Sequence, residues 1–176
     1  MNKKNISNNN FDIYCELLKK NEFNLIKKWL LDSENIRKYH KRYKFNSLDI
    51  DNMNIHIKYL FGFILEKIIK VNSNLVFEWW INKNSKQGWH VDKDEDLYLL
   101  NKEIELSKRS FVFFVLKPKS GGDFQFLKKS HYKKELKKIK IPFQENKLIS
   151  FPSYFPHKIS EYKGDRISVA INLWNK

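Results

Sequence analysis

The sequence has few of the residues that cross-link or break a chain: among 176 residues there are one cysteine, four prolines and five glycines. Because Cys15 has no second cysteine to pair with, an internal disulfide is excluded, and a reducing, cytoplasmic setting is expected. No apolar run approaches the roughly 18 residues of a transmembrane helix, so no membrane span is expected. The first residues, MNKKNISNNNFDIY, also lack the apolar stretch of a secretory signal peptide.

Arginine is scarce as well. The chain has 34 basic residues, of which 30 are lysine, against 20 acidic residues, and the formal net charge is +14. Proteins that bind nucleic acids tend to concentrate arginine for bidentate contacts, whereas the lysines here are scattered over every segment. We therefore interpret the charge as a solvated surface and do not expect nucleic acid as a partner. A basic nucleic-acid-binding module stays open as an alternative, and it predicts an affinity that falls steeply with salt.

What the sequence does have is 41% hydrophobic and 15% aromatic residues, which is typical of a globular protein. Apolar residues recur at steps of three and four from Phe11 to about Leu31, and again from Asn54 to Lys70. This spacing predicts amphipathic helices in both segments.

After Asn74 the pattern changes to short runs rich in β-branched and aromatic residues, separated by turn residues. These runs are LVFEWWI (75–81), SFVFFVLK (110–117), GDFQFLK (122–128), NKLISFP (146–152), PHKISEYK (156–163) and RISVAINLW (166–174). The lysine-rich stretch 128–142 is interpreted as an exposed excursion. The order of elements predicts one α+β domain, mainly β, over residues 1–176, with a helical part (1–72) and a barrel or two-sheet jelly-roll core (73–176).

His90 and Asp92, in GWHVD, are candidate metal ligands. On an extended chain, residues two apart point to the same face with their Cα atoms about 6–7 Å apart, so an imidazole and a carboxylate can reach one ion. The pair alone is weak, because the alternative is a surface histidine in an acidic loop.

His157 is the third candidate, in a strand-like segment after two prolines. Two histidines and one carboxylate form the facial triad of non-haem Fe(II) oxygenases, which leaves coordination positions for substrate and O₂. A core or turn histidine with its hydrogen bonds satisfied is the alternative for His157.

Arg166 and Ser168 share one face of the last predicted strand with Ala170 and Asn172, while the residues between them are apolar. A buried guanidinium needs an anionic partner, and a carboxylate fits its planar fork. A diacid such as 2-oxoglutarate could supply that carboxylate, with the serine hydroxyl as a second donor. A structural ion pair with Asp165, Glu161 or another acidic residue is the alternative.

In this order and spacing, the residues resemble the Fe(II)/2-oxoglutarate-dependent oxygenases, in their prolyl-4-hydroxylase-like branch. The resemblance covers about Trp79 to Trp174. It consists of the His-x-Asp pair, the strand FVFFVL, a Gly-Gly-Asp hairpin, an L-I-x-F strand, the distal histidine, and an arginine nine residues later followed by x-Ser.

The resemblance implies a double-stranded β-helix (jelly-roll, cupin-like) core with N-terminal helices packed on one sheet. It implies that His90, Asp92 and His157 ligate Fe(II), and that Arg166 and Ser168 bind the distal carboxylate of 2-oxoglutarate. The implied reaction uses O₂, converts 2-oxoglutarate to succinate and CO₂, and hydroxylates a substrate, either a small molecule or a peptide. The position where nucleic-acid dealkylases carry a second arginine is Asn172 here, which further disfavours nucleic acid.

Two questions stay open at this point. Trp80, Trp89 and Tyr98 are candidate substrate-binding residues because they lie near His90 in sequence, although ordinary core packing is the alternative. A catalytically silent cupin-like domain that binds metal or ligand without turnover is the alternative function.

Overall fold

The computed structural model describes residues 6–8, 11–64, 75–129 and 136–175. The helices are α1 (Lys20–Leu31), α2 (Ser33–Tyr39), α3 (Ile55–Phe63) and α4 (Glu95–Asn101), with a 3-10 helix at Ser47–Asn52. The strands are β1 (Ile6–Asn8), β2 (Phe11–Tyr14), β3 (Tyr43–Asn46), β4 (Leu75–Lys83), β5 (Arg109–Leu116), β6 (Ser120–Gly121), β7 (Phe124–Lys129), β8 (Leu136–Ile141), β9 (Lys147–Phe151), β10 (His157–Ile159), β11 (Tyr162–Lys163) and β12 (Ile167–Asn175).

Two antiparallel sheets form the body of the protein. The large sheet has the strand order β1-β2-β9-β5-β12-β4-β3, and the smaller sheet has the order β10-β7-β8. Strands β11 and β6 form a separate pair. The predicted α+β, mainly β class with a jelly-roll core is therefore confirmed.

Strand β12 shows how the sequence positions the site. Its odd-numbered residues from Ile167 to Leu173 pack into a core between the large sheet and the helices. Its even-numbered residues, Ser168, Ala170 and Asn172, point to the opposite face and are buried between the two sheets. The predicted division of this strand into an apolar face and a more polar interior face is confirmed.

The helices cover the outer face of the large sheet. α1 buries Phe23, Ile26 and Leu30, and Asp32 caps α2 by accepting hydrogen bonds from the backbone N–H groups of Glu34 and Asn35. A second core of mostly aromatic side chains fills the space between the sheets. No helix within the described ranges is both long and apolar enough to cross a membrane.

The structure corrects two predictions about the elements. Phe11–Tyr14 was predicted as helix and is strand β2, so the segment 1–72 supplies three strands as well as helices. Leu136–Ile141, predicted as part of an exposed excursion, is strand β8 at the edge of the smaller sheet. The predicted helix from Asn54 ends as α3 at Phe63, and its residues 65–70 lie outside the described ranges. The single-domain assignment stays a prediction.

Candidate metal centre

The two candidate histidines are paired through their backbones. The His90 N–H donates to the His157 carbonyl at 3.1 Å, and the His157 N–H donates to the His90 carbonyl at 2.8 Å. This isolated bridge adds the chain around His90 to the edge of the smaller sheet beside β10. The imidazole rings therefore lie on the same side, with their centroids 4.2 Å apart.

The backbone also orients both rings. His90 Nδ1 lies 2.8 Å from the Gly88 carbonyl oxygen, and His157 Nδ1 lies 3.0 Å from the Phe155 carbonyl oxygen. Because a carbonyl oxygen only accepts, each Nδ1 carries a proton, and each neutral ring keeps the lone pair of Nε2 for a metal.

Asp92 completes the set. Its carboxylate is nearly buried, and its Oδ2 atom lies 3.7 Å from His157 Nε2. One ligand atom from each of His90, Asp92 and His157 lies within 4.8 Å of the others. Two ligand atoms that each lie about 2.0–2.2 Å from one ion are at most about 4.4 Å apart, so the 3.7 Å between Asp92 and His157 is compatible with a shared metal.

Burial favours the form of His157 that binds metal. Desolvation lowers the pKa of His157 below its usual value, and the nearby His90 lowers it further, while the Asp92 carboxylate acts in the opposite direction. The ring is therefore neutral near pH 7, as a metal ligand must be.

Arg166 lies fully buried at the start of β12, with one donor group unused. Its Nε donates to the Gly122 carbonyl at 3.1 Å and its Nη1 donates to Ser168 Oγ at 3.0 Å. Within the part of the chain that the structure describes, its Nη2 has no hydrogen-bond partner. Burial lowers the pKa of Arg166 to about 10, so the guanidinium is charged at neutral pH.

The alternative of a structural ion pair for Arg166 is not found among the described residues. Asp165 instead accepts a hydrogen bond from Asn84 Nδ2 at 2.9 Å. The Asp123 carboxylate, which attracts Arg166 from a distance, is paired with Lys140 at 2.9 Å and also accepts from the Phe143 N–H. An unpaired donor on a buried guanidinium fits an incoming carboxylate, such as the distal carboxylate of 2-oxoglutarate.

A narrow cavity connects the triad with β12. Its lining comprises the three candidate ligands, Ser168 and Ala170 from β12, Trp80 and Asn82 from β4, and Gln87, Phe111, Val112, Phe124 and Ile159. Ser168, which holds Arg166, therefore lies in the same cavity as the triad.

The three aromatic residues predicted to bind substrate lie in different places relative to the cavity. Trp80 lines the cavity, and its Nε1 donates to Asn82 Oδ1 at 3.0 Å. Trp89 precedes His90 and is 41% exposed, with the Lys158 ammonium 5.0 Å from its ring. Tyr98 is on α4 with the Lys93 ammonium over its ring. Neither Trp89 nor Tyr98 is among the described residues that line the cavity.

Sequence reasoning missed several residues around the site. The carbonyls of Gly88 and Phe155 carry no side-chain signal, although each lies two residues before a candidate histidine. Glu78 was not predicted as an interior residue, yet it is 2% exposed and faces Asn172 across the sheet. Alternation from Trp80 could have placed Glu78 on the interior face.

Comparison with known proteins gives a consistent result for the fold. No family model matches the sequence, and no curated protein matches it. Among solved structures, a prolyl-4-hydroxylase from Pseudomonas putida has a TM-score of 0.63 at 11% identity, over 95% of this chain and 93% of that chain.

Two further structures match over similar lengths. A prolyl hydroxylase from Trichoplax adhaerens, in complex with a hypoxia inducible factor peptide fragment, has a TM-score of 0.61 at 13% identity, over 95% of this chain and 84% of that chain. HygX from Streptomyces hygroscopicus, with nickel and 2-oxoglutarate bound, has a TM-score of 0.58 at 11% identity, over 95% of this chain and 82% of that chain. The chain therefore has the double-stranded β-helix fold of the Fe(II)/2-oxoglutarate oxygenases, as the resemblance implied, together with a His-x-Asp…His triad.

Proposed function

We propose that the protein is an Fe(II)/2-oxoglutarate-dependent dioxygenase that hydroxylates a small-molecule or peptidyl substrate. The observation that carries the proposal is the convergence of three ligand atoms in one cavity, which also contains the serine that holds a buried arginine with an unused donor. Neither feature is explained by packing, because each leaves polar groups buried without a full set of partners.

Different residues would bind the iron and the 2-oxoglutarate. His90, Asp92 and His157 would hold Fe(II) through two Nε2 atoms and a carboxylate oxygen. Arg166 would donate from Nη2 to the distal carboxylate of 2-oxoglutarate, and Ser168 would hold the guanidinium in place by accepting the hydrogen bond from Nη1. When bound, iron and 2-oxoglutarate would supply the activation of O₂: 2-oxoglutarate, O₂ and a substrate C–H group would give succinate, CO₂ and a substrate C–OH group, with one oxygen atom in succinate and the other in the new hydroxyl.

The chain contributes the orientation of the ligands and part of the cavity wall. Each Nδ1 proton stays on its backbone carbonyl contact, so neither ring can rotate without losing a hydrogen bond. Trp80 and Phe124 form part of the cavity wall and offer apolar aromatic surface beside the triad.

The test is succinate formation from 2-oxoglutarate by purified protein loaded with Fe(II), since slow turnover without substrate is expected. Binding of Fe(II) and 2-oxoglutarate with succinate formation supports the proposal. Binding of both without succinate formation would indicate the silent cupin-like alternative. Absence of metal binding to the intact triad would refute both.

A further inference from the structure

The strand that carries His157 has a free edge beside the triad. At the two ends of β10, the Pro156 carbonyl and the Ser160 N–H form hydrogen bonds of 2.9 Å on the side of β7. Hydrogen bonding in an antiparallel pair alternates from residue to residue, so His157 and Ile159 direct their N–H and C=O groups to the opposite edge. His157 uses both groups in its bridge to His90. Ile159 therefore presents a backbone donor and a backbone acceptor on the same edge, which we call the open edge.

The chain that runs along the open edge does not pair with Ile159. Segment 85–90 is attached at its two ends, by the histidine bridge and by the Tyr162 hydroxyl, which donates to the Ser85 carbonyl at 3.2 Å. If the bridge continued as a ladder, Gly88 would lie opposite Ile159. Within the described ranges no hydrogen bond joins these two residues, and the Gly88 carbonyl oxygen instead lies 2.8 Å from a histidine Nδ1.

A groove of about 410 Å³ occupies the place of the missing ladder. It is lined by residues 86–88 on one side and by residues 158–162 on the other. Lys86, Gly88 and Glu161 are exposed, so the groove is accessible from solvent. Gln87 and Ile159 line both this groove and the triad cavity, so the groove leads directly to the candidate metal ligands.

The open edge also determines where a paired residue would point. The Ile159 side chain lines the triad cavity, and its Cα atom lies about 6–7 Å from that of His157, two residues earlier on the same face. Residues that lie opposite each other in paired strands project their side chains to the same face of the sheet. A residue that pairs with Ile159 from the groove would therefore direct its side chain to the triad.

We propose that the open edge of β10 binds an extended peptide segment by strand addition, with the peptide backbone bonded to Ile159 and the paired side chain directed to the triad. The inference rests on the proposed function and narrows its substrate to a peptidyl one. The donor and acceptor of Ile159 match the main chain of an extended peptide, whereas the groove walls supply the side-chain preference. Lys86 and Lys158, against the single acid Glu161, favour acidic over basic side chains there.

The first measurement uses wild-type protein loaded with Mn(II) and 2-oxoglutarate. The probes are short synthetic peptides of randomised sequence, and each peptide that binds is remade with one backbone N–H at a time replaced by an ester oxygen. We expect the loss of affinity to alternate along the peptide, several-fold to about tenfold at residues facing the open edge and absent at their neighbours. Binding by no peptide, or a uniform response along the peptide, would overturn the proposal.

The second measurement is amide hydrogen exchange at Ile159, with and without a selected peptide. Strand addition should slow exchange of the Ile159 amide several-fold or more. The Lys158 amide, which alternation directs to β7, is the internal reference and should be protected in both states. Unchanged exchange at Ile159 in the peptide complex would show that the peptide binds elsewhere and would contradict strand addition.

The third measurement removes the donor from the protein. Ile159→Pro lacks the N–H at a free strand edge, where proline is tolerated, and should lower the affinity for the selected peptides about tenfold. Lys138→Pro is the matched control, because alternation along β8 directs its N–H out of the opposite edge of the same sheet. It should bind the peptides like wild type. Wild-type affinity in Ile159→Pro would overturn the proposal, and if this variant does not fold, the ester peptides decide.

The outcomes separate the two proposals. If wild-type protein binds Mn(II) and 2-oxoglutarate but no peptide, only the inference about the open edge fails, and the proposed function keeps a small-molecule substrate. If wild-type protein binds neither Mn(II) nor 2-oxoglutarate, the proposed function fails and the inference fails with it.

Discussion

Arg109 shows what a guanidinium does in this chain when its carboxylate is present. Its Nη2 lies 2.6 Å from Asp12 Oδ2 and its Nε donates to Ser150 Oγ at 2.5 Å, which ties β2, β9 and β5 together. Arg166 has the equivalent serine, Ser168, but no carboxylate among the described residues. Among the described residues, Arg166 therefore differs from Arg109 in keeping a buried donor for a ligand.

Replacing Arg166 by lysine should weaken the binding of 2-oxoglutarate although the charge is kept. A lysine cannot present two donors in a planar fork, and the loss of one charge-assisted hydrogen bond corresponds to about tenfold or more in affinity. Calorimetric titration measures the change. Arg109→Lys is the matched control and should leave the affinity for 2-oxoglutarate intact, whereas equal affinity in Arg166→Lys and wild type would contradict the role of Arg166.

His90→Ala and Asp92→Ala should each abolish turnover and lower the affinity for metal. Loss of a residue that only supports a ligand costs about 10–100-fold, so loss of a ligand should exceed about 100-fold. Mn(II) titration and succinate formation provide the measurements. His40→Ala changes an exposed histidine outside the cavity and should change neither. Unaltered metal affinity in both ligand variants would refute the assignment.

At the level of residues, the sequence was informative where side-chain type and spacing carry the chemistry. The spacing of His90 and Asp92 predicted their common face, and the alternation of β12 placed Ser168 inside. It was uninformative about the backbone carbonyls that orient the rings, because any residue type supplies a carbonyl. It also did not distinguish Trp80 from Trp89, since only the pairing of β4 decides which tryptophan faces the cavity.

Among the elements, the turn from β6 to β7 requires a glycine beside Arg166. Gly122 has a φ of +76°, and a Cβ atom built there would lie 2.7 Å from Pro118 Cγ and 3.2 Å from Arg166 Cδ. Its carbonyl also accepts the Arg166 Nε hydrogen bond. The glycine therefore allows the backbone to approach the guanidinium closely.

Gly122→Ala should destabilise the protein and weaken 2-oxoglutarate binding together. An alanine in the left-handed region costs about 1–2 kcal/mol before any clash with Arg166 is counted. Denaturant unfolding and calorimetric titration measure the two effects. Gly62→Ala, in α3 with no atom within 4 Å of the new Cβ, should instead stabilise the protein by about 0.5–1 kcal/mol. Normal 2-oxoglutarate affinity in Gly122→Ala would contradict the close packing.

The two misassigned elements have physical explanations. Phe11–Tyr14 alternates between buried and partly buried residues, but its apolar positions also continue the three- and four-residue spacing of α1, so periodicity alone could not separate them. Strand β8, Leu136–Ile141, contains three lysines among its six residues and lies at a sheet edge, where charge opposes pairing with other chains. The composition of β8 is therefore similar to that of an exposed loop.

For the whole molecule, His157 packs against Phe124 and Phe151 in the core between the sheets, and its burial couples this candidate ligand to folding. Desolvation places the pKa of His157 in the folded protein below its unfolded value of about 6.5. Between these two values the unfolded chain binds the additional proton. Without metal, stability is therefore lost as the pH falls below about 6.5, at up to about 1.4 kcal/mol per pH unit.

Denaturant unfolding of metal-free protein between about pH 7.5 and about pH 5.5 tests this dependence. His157→Asn cannot be protonated in this range and should show a flatter dependence, even if its absolute stability is lower. The same slope in His157→Asn and wild type would show that other groups control acid sensitivity.

A single pair of backbone hydrogen bonds, between His90 and His157, holds the segment around His90 against the smaller sheet. Breaking these two hydrogen bonds separates two of the three candidate ligands, so an ion bound by both histidines would hold the two segments together. In hydrogen–deuterium exchange, the amides of these two histidines should therefore exchange as a unit, and loading the metal should protect both while leaving the helix-covered strands unchanged.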